Sequence, residues 1–198
     1  MVIMSGETAP LAARRIMVYG VTSSGKTTTA ARLAGRTGLP WYAIDDLTWD
    51  AGWTSVPVDE QRRRIGDLCA RDAWIIDSGY SHWLDLPMAR ADLIVALDFP
   101  RWLSFGRLLR RSLVNVIAQR PTCNGNVETW HHTFASEESI LRWHLSSFSR
   151  KHRRMLAWMA QPDVPRVIRF TRPSELTSWL GSLTPITADP PPASLSSR

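Results

Sequence analysis

Gly20-Val21-Thr22-Ser23-Ser24-Gly25-Lys26-Thr27 is the stretch that decides the fold of this chain. It matches G-x-x-x-x-G-K-[ST] at every fixed position, directly after a short β-rich segment at 15–19 and directly before a helical pattern at 27–33. Glycine at both fixed positions permits backbone angles that a side chain would forbid, so successive N–H groups can turn toward a phosphate. The stretch therefore predicts a P-loop (Walker A motif) that binds a nucleoside triphosphate.

Each polar group of this loop has an expected role. Lys26 is expected to span the β- and γ-phosphates, and the Thr27 hydroxyl is expected to ligate Mg²⁺. The N-K-x-D motif that reads guanine in GTPases is missing, which favours ATP. The predicted nucleotide-binding residues are Gly20, Thr22, Ser23, Ser24, Gly25, Lys26, Thr27 and Thr28.

Four further apolar runs follow, at residues 41–44, 73–76, 93–97 and 166–170. They alternate with amphipathic segments, and residues 175–183 have the pattern of a closing helix. Short apolar runs that alternate with helical patterns are typical of βαβ units with right-handed crossovers. The sequence predicts an α/β protein with a doubly wound, parallel sheet of five strands.

Two of these runs end in a carboxylate that could support the metal, Asp77 and Asp98. In P-loop folds the metal carboxylate follows the strand beside the P-loop strand, which is usually the next but one in sequence. We therefore predict Asp77 as the second Mg²⁺ ligand, and we expect Asp98 to cap the following helix. Ser78 follows Asp77 where hydrolytic ATPases often place a glutamate, which favours group transfer over hydrolysis.

Asp45 and Asp46 follow the second run, where an acceptor hydroxyl could approach the γ-phosphate. A carboxylate there can accept the hydroxyl proton, hold the acceptor or support Mg²⁺. Asp45 is favoured because it ends the run, whereas Asp46 is equally suited to capping a turn. Trp49 and Trp53 are candidates either for stacking on a substrate ring or for anchoring the loop on the core.

Two helical patterns carry arginines. Arg107, Arg110 and Arg111 share one face after Pro100, and a helix at about 137–159 carries four more, Arg142, Arg150, Arg153 and Arg154. The polar, glycine-containing segment 119–136 lies between them, so we predict a lid at about 112–140 that closes over the phosphates and excludes water. A solvated surface is the alternative for any one arginine. The predicted catalytic residues are Lys26, Asp45, Arg107, Arg111 and Arg142.

Composition limits the remaining possibilities. Residues 1–13 and 184–198 are predicted to be flexible or disordered, which leaves one domain at 14–183. No apolar stretch approaches the roughly 18 residues of a membrane span, and two cysteines are too few for a disulfide framework, so we expect a cytoplasmic protein. The net charge of +6 leaves nucleic acid open as a partner. Only Lys26 and Lys151 of the 24 basic residues are lysine, and a general preference for arginine is the alternative explanation of the charge.

Taken in order, four segments resemble the adenylate-kinase-like P-loop proteins often labelled DNA topology modulation protein FlaR-like. They are the loop 20–27, Ile44-Asp45-Asp46-Leu47-Thr48-Trp49 with Gly52-Trp53, Trp74-Ile75-Ile76-Asp77 with Tyr80, and Leu97-Asp98-Phe99-Pro100-Arg101-Trp102. The resemblance covers about residues 15–183. It implies a three-layer P-loop NTPase fold with a five-stranded parallel sheet in the order 2-3-1-4-5 and an arginine-bearing helical lid.

The sequence thus favours a small-molecule or nucleotide kinase that transfers the γ-phosphoryl group of ATP to an unidentified acceptor near Asp45. The alternative is an ATP-dependent regulatory or nucleic-acid-binding protein. The positions of the arginines distinguish the two. Arginines that converge on the γ-phosphate favour the kinase, and an outer stripe of arginines favours nucleic acid.

Overall fold

A computed structural model describes residues 11–52, 54–118 and 140–183. The strands are β1 (Arg15–Gly20), β2 (Trp41–Tyr42), β3 (Trp49–Asp50), β4 (Thr54–Ser55), β5 (Trp74–Ile76), β6 (Leu93–Leu97) and β7 (Arg166–Phe170). The helices are α1 (Lys26–Thr37), α2 (Asp45–Thr48), α3 (Val58–Cys69), α4 (Asp85–Met88), α5 (Arg101–Ala118), α6 (Ile140–Ala160) and α7 (Pro173–Ser182). No helix in these ranges is both long enough and apolar enough to span a bilayer.

Five strands form one sheet in the order β2-β5-β1-β6-β7, and every neighbouring pair is parallel. Counted within this sheet alone, the order is 2-3-1-4-5, so the predicted fold class is confirmed. β3 and β4 form a separate antiparallel hairpin. The loop 20–27 leaves the sheet from the central strand β1.

Side chains of β1 alternate between two apolar layers, as the two-residue period of a strand requires. Ile16 and Val18 pack in a layer with residues of α1 and α7. Met17 and Tyr19 pack in the opposite layer with residues of α3 and with Met155 and Trp158 of α6. Because helices cover both faces, the central strands are buried almost completely, which explains their continuous apolar runs.

The second strand is shorter than predicted. It ends at Tyr42 rather than at residue 44, because the Ile44 N–H donates to the Asp77 carboxylate at 3.0 Å. Asp45 therefore opens α2 and does not end a strand. Trp49 begins the β3–β4 hairpin, whose turn includes Gly52 at φ 76°.

Some predicted features fall outside the described residues. These are residues 1–10 of the N-terminal segment, the whole tail 184–198, residues 119–139 of the predicted lid, and Trp53. Leu11 and Ala13, within the segment predicted to be flexible, pack against the Ile16 layer. Residues 112–118 of the predicted lid continue α5 without a break.

The expected helix cap at Asp98 is wrong. The Asp98 carboxylate is buried and accepts hydrogen bonds from Arg169 Nε at 2.7 Å and from His152 Nδ1 at 2.9 Å. Arg169 lies on β7 and His152 on α6, so this carboxylate, which directly follows β6, connects two other elements. The hydrogen bonds of the Asp98 carboxylate therefore stabilise the packing of β7 and α6.

Asp98→Ala should lower the free energy of unfolding by about 1–3 kcal/mol, because it removes buried hydrogen bonds to charged or polar partners. The matched control is Asp85→Ala, which removes an ion pair to Arg62 whose two side chains are 61% and 38% exposed, against 3% for Asp98. Exposed ion pairs contribute little, so the control should unfold at nearly the same urea concentration as the natural chain. Equal midpoint shifts in the two variants would contradict this role of Asp98.

Candidate functional site

The loop 20–27 turns from β1 into α1 through unusual backbone angles. Ser23 has φ 58° and Gly25 has φ 97°, both in the left-handed region. At Gly20, an added Cβ would lie 2.6 Å from Ser24 Oγ and 2.8 Å from the Leu97 carbonyl oxygen, so only glycine fits. The two glycines fixed by the sequence pattern are therefore required by packing at one position and by backbone angle at the other.

The inner surface of the loop is rich in hydrogen-bond donors. No side chain caps the N-terminus of α1, and the N–H groups of its first turn have no partners within the helix. The Oγ atoms of Ser23 and Ser24 are buried and make no hydrogen bond within the described part of the chain. A helix N-terminus also carries partial positive charge. This arrangement suits an anion.

Lys26 extends along the loop, where its Nζ donates to the Val21 carbonyl oxygen at 2.9 Å. Burial lowers the pKa of Lys26, while the carboxylates of Asp45 and Asp77 raise it. An ammonium group has three donors, so further acceptors can be bound beside Val21.

The structure brings together the two residues predicted as metal ligands. Asp77, at the carboxyl end of β5, accepts hydrogen bonds from the Ile44 N–H and from the Thr27 side chain. Burial raises the pKa of Asp77, and these two hydrogen bonds oppose that effect. A hydroxyl and a carboxylate within hydrogen-bonding contact are protein ligands that suit Mg²⁺, which also binds phosphate oxygens.

Asp45 lies across from Lys26, and its carboxylate accepts a hydrogen bond from the Tyr80 hydroxyl at 2.8 Å. Asp45 is exposed, as is Asp46, the other candidate base. The Tyr80 ring packs against Trp83, which is fully buried. Because Trp83 holds the Tyr80 ring in place, the Tyr80 hydroxyl fixes the orientation of the Asp45 carboxylate.

Arg107 and Arg111, on one face of α5, both approach the loop. Arg107 Nη1 lies 3.4 Å from the Ser24 carbonyl oxygen, and Arg111 lowers the pKa of Lys26 by its positive charge. A groove of about 380 Å³ runs along this face and is lined by Arg107, Arg110, Arg111, Val114 and Asn115. The third predicted arginine, Arg142, lies in the first turn of α6, and its side chain lies outside the described part of the chain.

Two cations of α6 reach the same loop and were not predicted as site residues. Lys151 Nζ donates to the Gly20 carbonyl oxygen at 3.1 Å and lies 5.5 Å from the centroid of the Tyr19 ring. Burial, together with Lys26, lowers the pKa of Lys151 to about 7. Arg154 Nη1 donates to the Tyr19 hydroxyl at 3.3 Å. One sequence feature could have pointed to Lys151, since the chain has only two lysines.

The partners of these cations differ from those of other basic residues. Arg15, Arg62 and Arg169 each pair with a carboxylate at 2.7 Å. Four cations instead hydrogen-bond to uncharged oxygens of residues 19–24, and no carboxylate of the described residues lies within ion-pair distance of them. We refer to Lys26, Arg107, Lys151 and Arg154 as the four loop cations. Their convergence creates a positive potential that a polyanion would satisfy.

Comparison with known proteins identifies the fold. No protein-family model and no curated protein matches this chain. A shikimate kinase from Acinetobacter baumannii, solved with shikimate, is 17% identical over 86% of this chain and 90% of its own, with a TM-score of 0.50. A sugar kinase from Janibacter sp. HTCC2649 is 20% identical over 86% and 98%, with a TM-score of 0.45. A gluconokinase from Sinorhizobium meliloti 1021 is 15% identical over 85% and 88%, with a TM-score of 0.48. The shikimate kinase match shows that the chain has the P-loop kinase fold.

Proposed function

We propose that this chain is an ATP-dependent kinase that transfers the γ-phosphoryl group to a hydroxyl of a small molecule or nucleotide held near Asp45. The observation that carries the proposal is the convergence of the four loop cations on residues 19–24 with only uncharged partners. Partly buried cations without counter-ions gain free energy when a polyanion binds. The fold shared with a shikimate kinase supports the same class of reaction. We propose the finer assignment, adenylate-kinase-like and FlaR-like, on the sequence resemblance alone.

The residues fit a magnesium–triphosphate complex. The loop offers donors without acceptors, and Thr27 and Asp77 lie together beside it. Lys26 and the first-turn amides of α1 would hold the β- and γ-phosphates, while Thr27 and Asp77 would hold Mg²⁺ directly or through water. The metal supplies neutralisation of phosphate charge when it is bound.

In the proposed transfer, the bond between the γ-phosphorus and the β,γ-bridging oxygen breaks, and a bond forms to the acceptor oxygen. The acceptor proton passes to Asp45, whose carboxylate the Tyr80 hydroxyl orients. Arg107 and Arg111 would stabilise the charge on the transferred group, together with Arg142 from the proposed lid at 112–140. ADP and the phosphorylated acceptor are the products.

Asp77→Asn should raise the Mg²⁺ concentration needed for half-maximal ATP binding by roughly tenfold, because one charge-assisted metal contact is lost. Asparagine keeps an oxygen that can accept the Ile44 N–H, so the thermal midpoint should change little. The measurement is a Mg²⁺ titration at fixed ATP, followed by the fluorescence of a labelled nucleotide. Asp85→Asn, whose exposed carboxylate pairs with Arg62, is the control, and an unchanged Mg²⁺ requirement in Asp77→Asn would contradict this metal assignment.

The proposed function is tested by measuring ADP production with MgATP over a panel of nucleosides, nucleotides, sugars and aminoglycosides. At least one compound should raise turnover well above the rate without acceptor, and Lys26→Met should abolish that increase. Tight ATP binding without acceptor-dependent turnover anywhere in the panel would count against a kinase.

The nucleic-acid-binding alternative has less support. Arg15, Arg62, Arg63, Arg64 and Arg169 are paired with carboxylates, and the four loop cations point to one small site. A surface that tracks a phosphate backbone needs accessible cations in a stripe. A gel-shift titration that shows ATP-dependent DNA binding at low salt would revive this alternative.

A further inference from the structure

The four loop cations divide into two pairs by the half of the segment they contact. Lys26 and Arg107 contact the Val21 and Ser24 carbonyl oxygens, within the turn of the loop itself. The other two, both on α6, contact Tyr19 and the loop's first residue at the end of β1. Because the two pairs lie against different residues of the segment, the α6 pair can serve an anionic group other than the triphosphate held in the turn of the loop.

The α6 pair lies on the same side of the sheet as the proposed acceptor base. Tyr19, whose hydroxyl accepts from Arg154, belongs to the apolar layer against which Tyr80 also packs. The Tyr19 ring abuts the backbone just before Tyr80, since an added Cβ on Gly79 would lie only 3.1 Å from it. Tyr80 in turn holds Asp45. Tyr19 therefore lies between the α6 cations and the segment 79–80, whose Tyr80 holds the Asp45 carboxylate.

The electrostatics agree with this placement. Burial and the positive charges of Lys26, Arg150 and Arg154 lower the pKa of Lys151 to about 7, and the Asp45 carboxylate opposes this effect. Arg154 has an uncharged oxygen as its hydrogen-bond partner. An added anion beside these two groups would be bound by an ammonium and a guanidinium, and the planar guanidinium can bind carboxylate or phosphate oxygens in pairs.

We propose that Lys151 and Arg154 form an anion subsite that binds a carboxylate or phosphate group of the acceptor, whose hydroxyl then lies at Asp45. This inference rests on the proposed kinase function and narrows it to acceptors that are hydroxyl-bearing anions. Uncharged sugars and nucleosides leave this pair without a counter-ion and are poor acceptors.

The test begins by filling the proposed nucleotide site, so that any further anion must bind elsewhere. The full chain is saturated with Mg²⁺ and a non-hydrolysable ATP analogue, and inorganic phosphate is then titrated calorimetrically in one arm and gluconate, a carboxylate with hydroxyls, in the other. We expect a second anion to bind in at least one arm. Lys151→Met and Arg154→Met should each weaken that binding roughly tenfold or more, the loss of one charge-assisted hydrogen bond. Arg153→Met is the matched control, because Arg153 is exposed and bonds only its own helix at Ser149.

Each outcome bears on a different claim. No second anion in either arm, with the analogue bound, overturns the subsite while leaving the kinase proposal intact. A loss of analogue affinity in Lys151→Met and Arg154→Met, with no change in anion binding, assigns this pair to the triphosphate and also overturns the subsite. Failure of the analogue to bind the natural chain contradicts the kinase proposal itself. Thermal midpoints of all three variants, measured without ligand, identify any variant that fails to fold. If Arg154→Met fails to fold, Arg154→Lys, which loses the paired donors of the guanidinium, replaces it in the titration.

Discussion

Lys26→Met should remove most of the affinity for ATP and leave the chain at least as stable as the natural protein. The ammonium group is partly buried without an ion-pair partner and donates only to a backbone carbonyl, so the folded chain without nucleotide gains little from its charge. With nucleotide bound, the same group would bond phosphate oxygens. Hydrogen bonds to charged groups contribute about 1.5–3 kcal/mol, so the dissociation constant should rise roughly 10- to 150-fold.

Two measurements separate binding from folding. Calorimetric titration with MgATP gives the affinity, and thermal denaturation with and without MgATP gives the stabilisation that bound nucleotide confers. In Lys26→Met the midpoint without nucleotide should be equal or higher, and the increase with nucleotide should vanish. Arg32→Met, an exposed change on the same helix, should leave both measurements unaltered. A folded Lys26→Met variant with natural ATP affinity would refute the loop assignment.

The five strands of the parallel sheet could be predicted from the sequence because helices cover both faces of that sheet, whereas the short hairpin of β3 and β4 was not predicted. Buried parallel strands are continuous apolar runs, and β6 and β7 begin and end at the predicted residues. Helix α3 was not predicted, because its pattern is mainly charged. Its apolar stripe is short, and Glu60 pairs with Arg63 and Arg64 on the solvent side. Such a helix is stabilised by packing and i,i+4 pairs that a search for apolar periodicity does not weigh.

Some residues of the candidate site are close together in the sequence, and others are brought to the loop by tertiary packing. The loop 20–27 is contiguous, so its geometry is encoded by its own glycines. The position of Asp77 beside Thr27 could be predicted, because carboxyl ends of neighbouring parallel strands meet at one edge of the sheet. Lys151 is 131 residues from Gly20, and their contact depends on how α6 packs. The Trp158 ring meets the Tyr19 ring edge-on at 4.7 Å, two helical turns beyond Lys151, and no local pattern predicts that docking.

The packing of α6 also determines where Lys151 lies relative to the loop. Met155 and Trp158 anchor its buried side in the Tyr19 layer. His152, on another side of the helix, hydrogen-bonds to Asp98, which directly follows β6. These contacts fix the helix both axially and in rotation, so Lys151 is held at Gly20 by packing and not by an ion pair. Rigid placement of a cation before the ligand arrives reduces the ordering that binding requires.

Asp45→Asn should lower the turnover number by roughly 10²- to 10⁴-fold while leaving MgATP affinity nearly unchanged, because general-base catalysis contributes about that factor and only the transfer step uses it. Asparagine can still accept the Tyr80 hydrogen bond, so the local geometry should persist. The rate is measured as ADP production with the acceptor found in the panel, and nucleotide affinity is measured separately by calorimetry. Asp46→Asn, the neighbouring exposed carboxylate, is the matched control and should retain most activity. A larger loss in Asp46→Asn than in Asp45→Asn would transfer the role of base to Asp46, and a loss of MgATP affinity in Asp45→Asn would make that carboxylate part of the nucleotide site.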